Sequence, residues 1–496
     1  MTLPWRSLTL TQTLILAWGM APSFGHANPG QEPAPPPGTQ ADRDQLRRYA
    51  GATWRSFAAM AAPDGLPADE LNRDDAGTWR PSGQTSPTDI GAYLWSTLAA
   101  HRLALIDRAE AARRVDATLT TLGVLEREHG FFFNRYDVRS HQRLGIPVGQ
   151  GKPPRHFLST VDNGWLAASL VLVRNTWPEF RDRADRLLEP MNFRFFYEPF
   201  DPADPDRHPG QFHGGYYTDD QTFTACYGML NTEPRIVSYL AIARGQVPPE
   251  HYYRLFRTLS PAKKEQHAVP VGVTRTYRDV PVFEGHYDVR GSAVVPSWGG
   301  SMFEALMVPL FVPEARWAPQ SWGVNHPLYV RLQVEQGMQR QRYATWGFSP
   351  CRTPEGGYAT YGVADLGTAQ KPYQTFEIPA HQGKDAAVEG KSPVDGVVTP
   401  HASFLALPFA PREALANLRH LEQTYPIFGV NGFADSVNVT TGRVSATVLS
   451  LDQGMILAAI ANALADDAMQ HAFADGPIEA AIRPLIAFEA FTAADR

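Results

Sequence analysis

The chain is poor in cysteine, with only Cys226 and Cys351 among 496 residues. So few thiols exclude a disulfide-stapled scaffold, and without CxxC, HExxH or similar spacing neither cysteine reads as a zinc ligand or a nucleophile. The two could form one disulfide or remain buried thiols, and their spacing does not choose. Long basic runs are also absent, and a net charge of −6 argues against nucleic acid and acidic membranes as partners. Past the N-terminus no apolar run reaches membrane length. No fixed period matches a helical repeat array, which disfavours a solenoid. No motif points to a metal or any other cofactor, so none is expected.

What is present begins with an export signal. Arg6 precedes the apolar run from Leu8 to Trp18, and Ala27 offers a small residue for cleavage, so residues 1–27 read as a signal peptide. Residues 28–41, with Pro35, Pro36 and Pro37, read as a disordered spacer, leaving 42–496 as one domain outside the cytoplasm, periplasmic or secreted. The alternative is a retained N-terminal anchor.

A hydrophobic content of 43% supports a large core. Ile90, Leu94, Leu98 and Leu105 fall at helical spacing, and Val115, Leu119 and Leu122 continue as a paired helix. Further helices are expected over 162–174, 178–196, 232–244, 249–257, 301–311, 326–343, 412–424, 452–465 and 477–488, with a small hairpin over 270–288. Long loops rich in Gly, Pro and aromatics, 200–220 and 350–399, separate them, and loops of that length are usually functional. Successive helix pairs suggest an all-α (α/α) barrel with its cleft at one end.

Several carboxylates stand in apolar or aromatic surroundings: Glu233 in Cys226-Tyr-Gly-Met-Leu-Asn-Thr-Glu-Pro-Arg235, Glu304 in Ser297-Trp-Gly-Gly-Ser-Met-Phe-Glu304, and Asp452 in Leu449-Ser-Leu-Asp-Gln-Gly454. Lost hydration disfavours the charged form and moves such groups toward neutral pKa values, where they can exchange protons. Two carboxyl groups of this kind suit cleavage of a sugar acetal. An aromatic content of 11% suits stacking on sugar rings, although most of these rings belong to the core.

These segments, followed by Trp346-Gly-Phe-Ser349, Val397-Val-Thr-Pro-His401, Gly432-Phe-Ala-Asp-Ser-Val-Asn438 and Leu451-Asp-Gln-Gly454, resemble in order the glycoamylase-like domain of bacterial endo-β-1,2-glucanases, glycoside hydrolase family 144, and of cyclic β-1,2-glucan synthases. Ser159-Thr-Val-Asp-Asn-Gly-Trp165 resembles the N-terminal part of the same unit. The resemblance implies an (α/α)6 barrel and a monomeric hydrolase of β-1,2-glucan, with Glu233 as general acid and Asp452 as the second carboxylate. It further implies substrate contacts from Asp162, Asn163, Trp165, Arg235, Trp298, Glu304, Trp346, His401, Asp435 and Gln453, with Arg235 also suited to a structural ion pair. The chain departs from the family pattern at Pro350-Cys351 and Met455, and residues 362–391 have no counterpart there. Two alternatives stay open: a non-catalytic periplasmic glycan-binding or assembly protein, and a polysaccharide lyase.

Overall fold

The computed structural model describes residues 38–149, 152–264, 266–368 and 396–492. The expected signal peptide, most of the expected spacer and residues 369–391 of the unmatched loop lie outside the described residues.

Helix α1, Gln40–Met60, starts two residues before the expected boundary at 42. Thr39 caps it in a reciprocal box with Asp42, satisfying two free amides of the first turn. Then come α2 (Pro87–Arg102), α3 (Arg108–Leu122), α4 (Thr160–Thr176), α5 (Arg181–Leu188), α6 (Arg235–Ala243) and α7 (Met302–Leu306). The rest are α8 (Glu314–Trp317), α9 (Trp322–Glu335), α10 (Pro400–Leu405), α11 (Pro411–Thr424), α12 (Ser450–Leu464), α13 (Ala468–Ala474) and α14 (Pro477–Ile486). The helix expected over 178–196 is broken into α5 between two 3-10 turns, and 249–257 is a 3-10 turn over Pro249–Arg254.

Helices α2, α4, α6, α7, α10 and α12 are neighbours in a cycle: α2 packs on α4, α4 on α6, α7 on α10, α10 on α12, and α12 back on α2. The step from α6 to α7 is made by Arg235, whose Nη2 donates to the Ala305 carbonyl at 3.0 Å. These helices are buried on nearly every side, as an inner layer requires. Against them pack α3 on α2, α5 on α4, α14 on α6, α9 on α7, α11 on α10 and α1 on α12. Of these, α1, α3 and α11 bury one face and expose the other.

Close approach within the inner layer depends on glycine. A Cβ on Gly164 would meet Val237 Cγ2 at 2.3 Å, and one on Gly454 would meet Ala92 and the Trp95 ring at 2.9–3.0 Å. We expect Gly164→Val to cost about 1–3 kcal/mol of unfolding free energy through overpacking of α4 on α6. Urea titration checks this, and an unchanged midpoint would show that α6 can move aside.

The fold is helix-rich, as expected, and the loops between the helices add strands. Short strands pair into small antiparallel sheets between the helices. The loops must hydrogen-bond their own backbone, and local hairpins do this. The longest strand pair, Val271–Tyr277 with Val280–Val289, is the hairpin expected over 270–288, and Ser292–Val294 extends it. Its two-residue turn, Arg278-Asp279, has positive φ at both positions (47° and 64°), which matches the twist of the flanking strands.

Candidate active site

Four inner helices begin with the same device. Asp89, Asp162, Glu304 and Asp452 each occupy the third residue of α2, α4, α7 and α12. Ser86, Ser159 and Ser301 cap the first three, each hydroxyl accepting the backbone N–H of its acidic partner. Glu233 immediately precedes Pro234, the cap of α6, and His401 is the second residue of α10. Helix N-termini carry partial positive charge, so acidic groups collect at this end of the inner layer.

Neighbouring helices share these groups. Thr88 on α2 donates to Asp162 Oδ1 on α4 at 2.5 Å. Burial pushes the Asp89 carboxyl up to about 8, with the charges of Asp69 and Asp162 adding to the effect. Burial likewise pushes Glu233 up to about 8, assisted first by the charge of Glu304. Glu233 Oε2 is buried and has no hydrogen-bond partner. Glu304 is better satisfied: it accepts from the Ser297 hydroxyl at 2.7 Å and from Gly299 N–H at 2.8 Å. Burial still raises it, against these donors.

A second group gathers around Asp452 at the start of α12. Burial raises Asp452 to about 7, and a hydrogen bond from Asp435 opposes the rise. Asp435 lies well above the usual carboxylate range through burial and the adjacent Asp452 charge. The backbone N–H of Arg352 donates to Asp435 Oδ2 at 2.5 Å and fixes its orientation. His401 Nδ1 lies 2.9 Å from Asp452 Oδ2, but the angle does not make a hydrogen bond, and both ring nitrogens are buried without one. Burial pulls this imidazole down to about 4, so it is neutral at physiological pH. The phenol of Tyr358 ties the groups together, because burial and then the charges of Asp452, Cys351, Asp435 and Glu233 raise it.

Four of the residues expected to contact substrate are held within the protein. Arg235 is buried at 1% exposure; its Nε and Nη2 grip both Glu314 oxygens at 2.7 and 2.9 Å, and its ring partner is Trp322. Asn163 spends its amide on Phe132 N–H, Phe132 C=O and Ser159 C=O. Trp165 packs in the core against Trp95 and Phe311, and Trp346 is 2% exposed. Asp162 and Trp298 remain half-buried. Gln453 donates to the Phe433 carbonyl at 3.1 Å, with its Oε1 buried and unpartnered. Both cysteines are free thiols, and Cys351 is buried beside Asp435. Among the described residues no group of three His, Cys, Asp or Glu side chains could hold a metal, and no helix is long and apolar enough to cross a membrane.

Sequence reasoning missed Asp89 and Tyr358. The capping pattern Ser86-Pro-Thr-Asp89, which repeats in Ser159-Thr-Val-Asp162 and Ser301-Met-Phe-Glu304, was the available signal for the first. Tyr358 stands in Gly357-Tyr-Ala359, which belongs to the same ordered set of family-like segments, but it is not among the expected site residues.

Residues 262–477 match the Glycoamylase family model. Over that stretch, somewhat under half of its length, the chain is similar to the glycoamylase-like domain. Residues 48–194 match a second family model, of unknown function. The cyclic beta-(1,2)-glucan synthase NdvB of Rhizobium meliloti is 30% identical over 88% of this chain, which spans 18% of that synthase. The endo-beta-1,2-glucanase of Chitinophaga pinensis, solved with sophorotriose and glucose, shares the fold with a TM-score of 0.65 at 16% identity, covering 90% of this chain and 99% of its own. The beta-1,2-glucanase of Parabacteroides distasonis matches with a TM-score of 0.66 at 15% identity, over 91% and 60% of the two chains. At such identities the likeness is one of fold. The glycoamylase-like domain shares this helix-rich fold, and the cycle of inner helices draws on both family-model regions, α2 and α4 from one and α7, α10 and α12 from the other.

Proposed function

We propose that this protein is a glycoside hydrolase that cleaves β-1,2-glucan outside the cytoplasm, with its inner and outer helices forming an (α/α)6 barrel and a single catalytic domain. The observation that carries the reading is Glu233: a buried carboxyl, raised to about 8, with one oxygen free of partners at the end where helix N-termini converge. At neutral pH it holds a proton and has no protein acceptor on that oxygen, which is what a general acid needs. Glu233 donates this proton to the glycosidic oxygen as the C–O bond breaks. Asp452, anionic and steadied by the Asp435 proton, takes a proton from the water that attacks the anomeric carbon. The β-1,2 linkage is supported by the glucan named for the relatives in both sequence and fold comparisons. The reading is tested by offering a panel of linear glucans and following new reducing ends together with the absorbance of unsaturated products. Release from β-1,2-glucan alone supports it, and unsaturated products would replace it with lyase chemistry.

Asp435 gives a separable prediction. Asp435→Asn keeps an N–H donor toward Asp452 and an oxygen for Arg352 N–H, so it retains most activity. Asp435→Ala loses the donor that lowers Asp452, and the acid limb of kcat/KM moves above its parental position near 7. Equal pH profiles for the two variants would show that the shared proton has no part in the reaction.

A further inference from the structure

We propose a second glycan contact outside the catalytic pair: Phe223 is an aromatic platform, at the rim of the site, on which a sugar ring of the glucan chain stacks. The inference rests on the proposed function and names where part of its substrate lies.

The position follows from strand register. Phe223 pairs with Tyr216, and Tyr216 pairs with Leu158, in a small sheet whose third strand, Phe157–Ser159, runs directly into α4 and Asp162. Two strand spacings place Phe223 about 10 Å to the side of that entry. Thr160, the first residue of α4, ties the sheet down further by donating to the His213 carbonyl at 2.7 Å. The platform is therefore attached to the end of the molecule where the carboxyl groups gather.

The ring itself is built to present a face. Phe223 is 41% exposed, unusual for a ring with three aromatic neighbours. His213 stacks on it with centroids 4.8 Å apart and an interplanar angle of 27°. Tyr216 and Phe195 meet it at 4.8 and 5.3 Å with tilted planes. With one ring stacked on it and two tilted against it, Phe223 is backed by the protein and still keeps 41% of its surface exposed. His213 cannot swing away, because its Nδ1 bonds the Thr224 carbonyl at 2.6 Å and Glu198 stands 3.4 Å from its Nε2. The column continues inward through Phe195 to Phe196 and Phe131. A rigid, backed, apolar face is what the C–H face of a pyranose packs on, with the sugar hydroxyls left to solvent.

A platform beside the cleavage point contributes to long chains and not to the shortest ones. The experiment compares kcat/KM for long linear β-1,2-glucan and for the shortest oligosaccharide the parent cleaves, in the parent, Phe223→Ala, Phe223→Trp and the control Phe488→Ala, a residue 76% exposed on the C-terminal segment. The same variants are titrated with long glucan in a Glu233→Gln background. We expect the long-to-short ratio of Phe223→Ala to fall about tenfold, the tryptophan variant to stay within about twofold of the parent, and affinity in the inactive background to fall in parallel. The control should match the parent. A ratio for Phe223→Ala equal to the parent's, with the parent active, overturns the platform and leaves the hydrolase reading standing. A parent that cleaves no glucan overturns the functional reading, and the platform with it.

Discussion

Replacing Glu233 with Gln lowers kcat/KM on β-1,2-glucan by about 10²–10⁴-fold, the span attributed to one positioned general acid. The amide keeps the shape and removes the transferable proton, so affinity for uncleaved glucan should persist while turnover is lost. Stability gives an independent readout with a definite sign. Burial raises Glu233 from 4.5 to about 8, so the folded chain holds this proton more tightly than the unfolded chain does. That contribution is fully present below pH 4.5 and is lost as pH rises through about 8. The Gln variant has no such proton, and its unfolding free energy should fall less steeply between those limits. Denaturant titrations at both ends of the range measure it. Turnover by the variant within a factor of two of the parent would remove Glu233 from the chemistry, and a parallel pH slope would show that its carboxyl is not buried in the neutral form.

The largest expected effect on stability is at Glu314, just behind the site. Burial acts to raise this carboxyl, but Arg235 outweighs it, with His326 adding to the effect, and holds it at about 2. Glu314 accepts two guanidinium hydrogen bonds, a third from the Tyr239 hydroxyl at 2.6 Å, and lies 3.1 Å from His326 Nε2. Both ion-pair partners have no exposed side-chain area. Removing one charge strands the other in the interior, so Glu314→Ala should cost about 3–5 kcal/mol. The loss extends beyond the pair, because Arg235 is also the hydrogen-bonded link from α6 to α7. Chemical denaturation gives the value, and a cost below about 1 kcal/mol would mean that water reaches Arg235 and that the ring is open at this step.

How much of this was legible in the sequence depends on which physical signal each part leaves. Amphipathic helices such as α3 and α11 show their period directly, and α2, buried nearly all round, was still legible from the helical spacing of Ile90, Leu94 and Leu98. Helix α1 was not singled out, because its start adjoins the Pro-rich stretch and its capping pair Thr39 and Asp42 falls on the boundary. The carboxyl groups were legible because an acid in apolar company is costly and therefore conspicuous. Which side of a buried helix faces the opening is not legible: periodicity vanishes on a helix covered on every side, so Trp165 and Asn163 read as sugar contacts while packing at helix interfaces. The structural ion pair expected of Arg235 is present, but its partner was not legible. Glu314 lies 79 positions away in sequence, a separation that no local pattern shows. The aromatic backing of Phe223 draws on residues as distant as His129 and Phe131, which no local pattern connects.

The measurement that bears most directly on the whole account is the pH–rate profile of reducing-end release from linear β-1,2-glucan. With Asp452 near 7 and Glu233 near 8, the active form needs the first ionised and the second protonated, so the rate should peak between them and fall on both sides. Tight glucan binding with no release at any pH would contradict the account and leave a glycan-binding protein in its place.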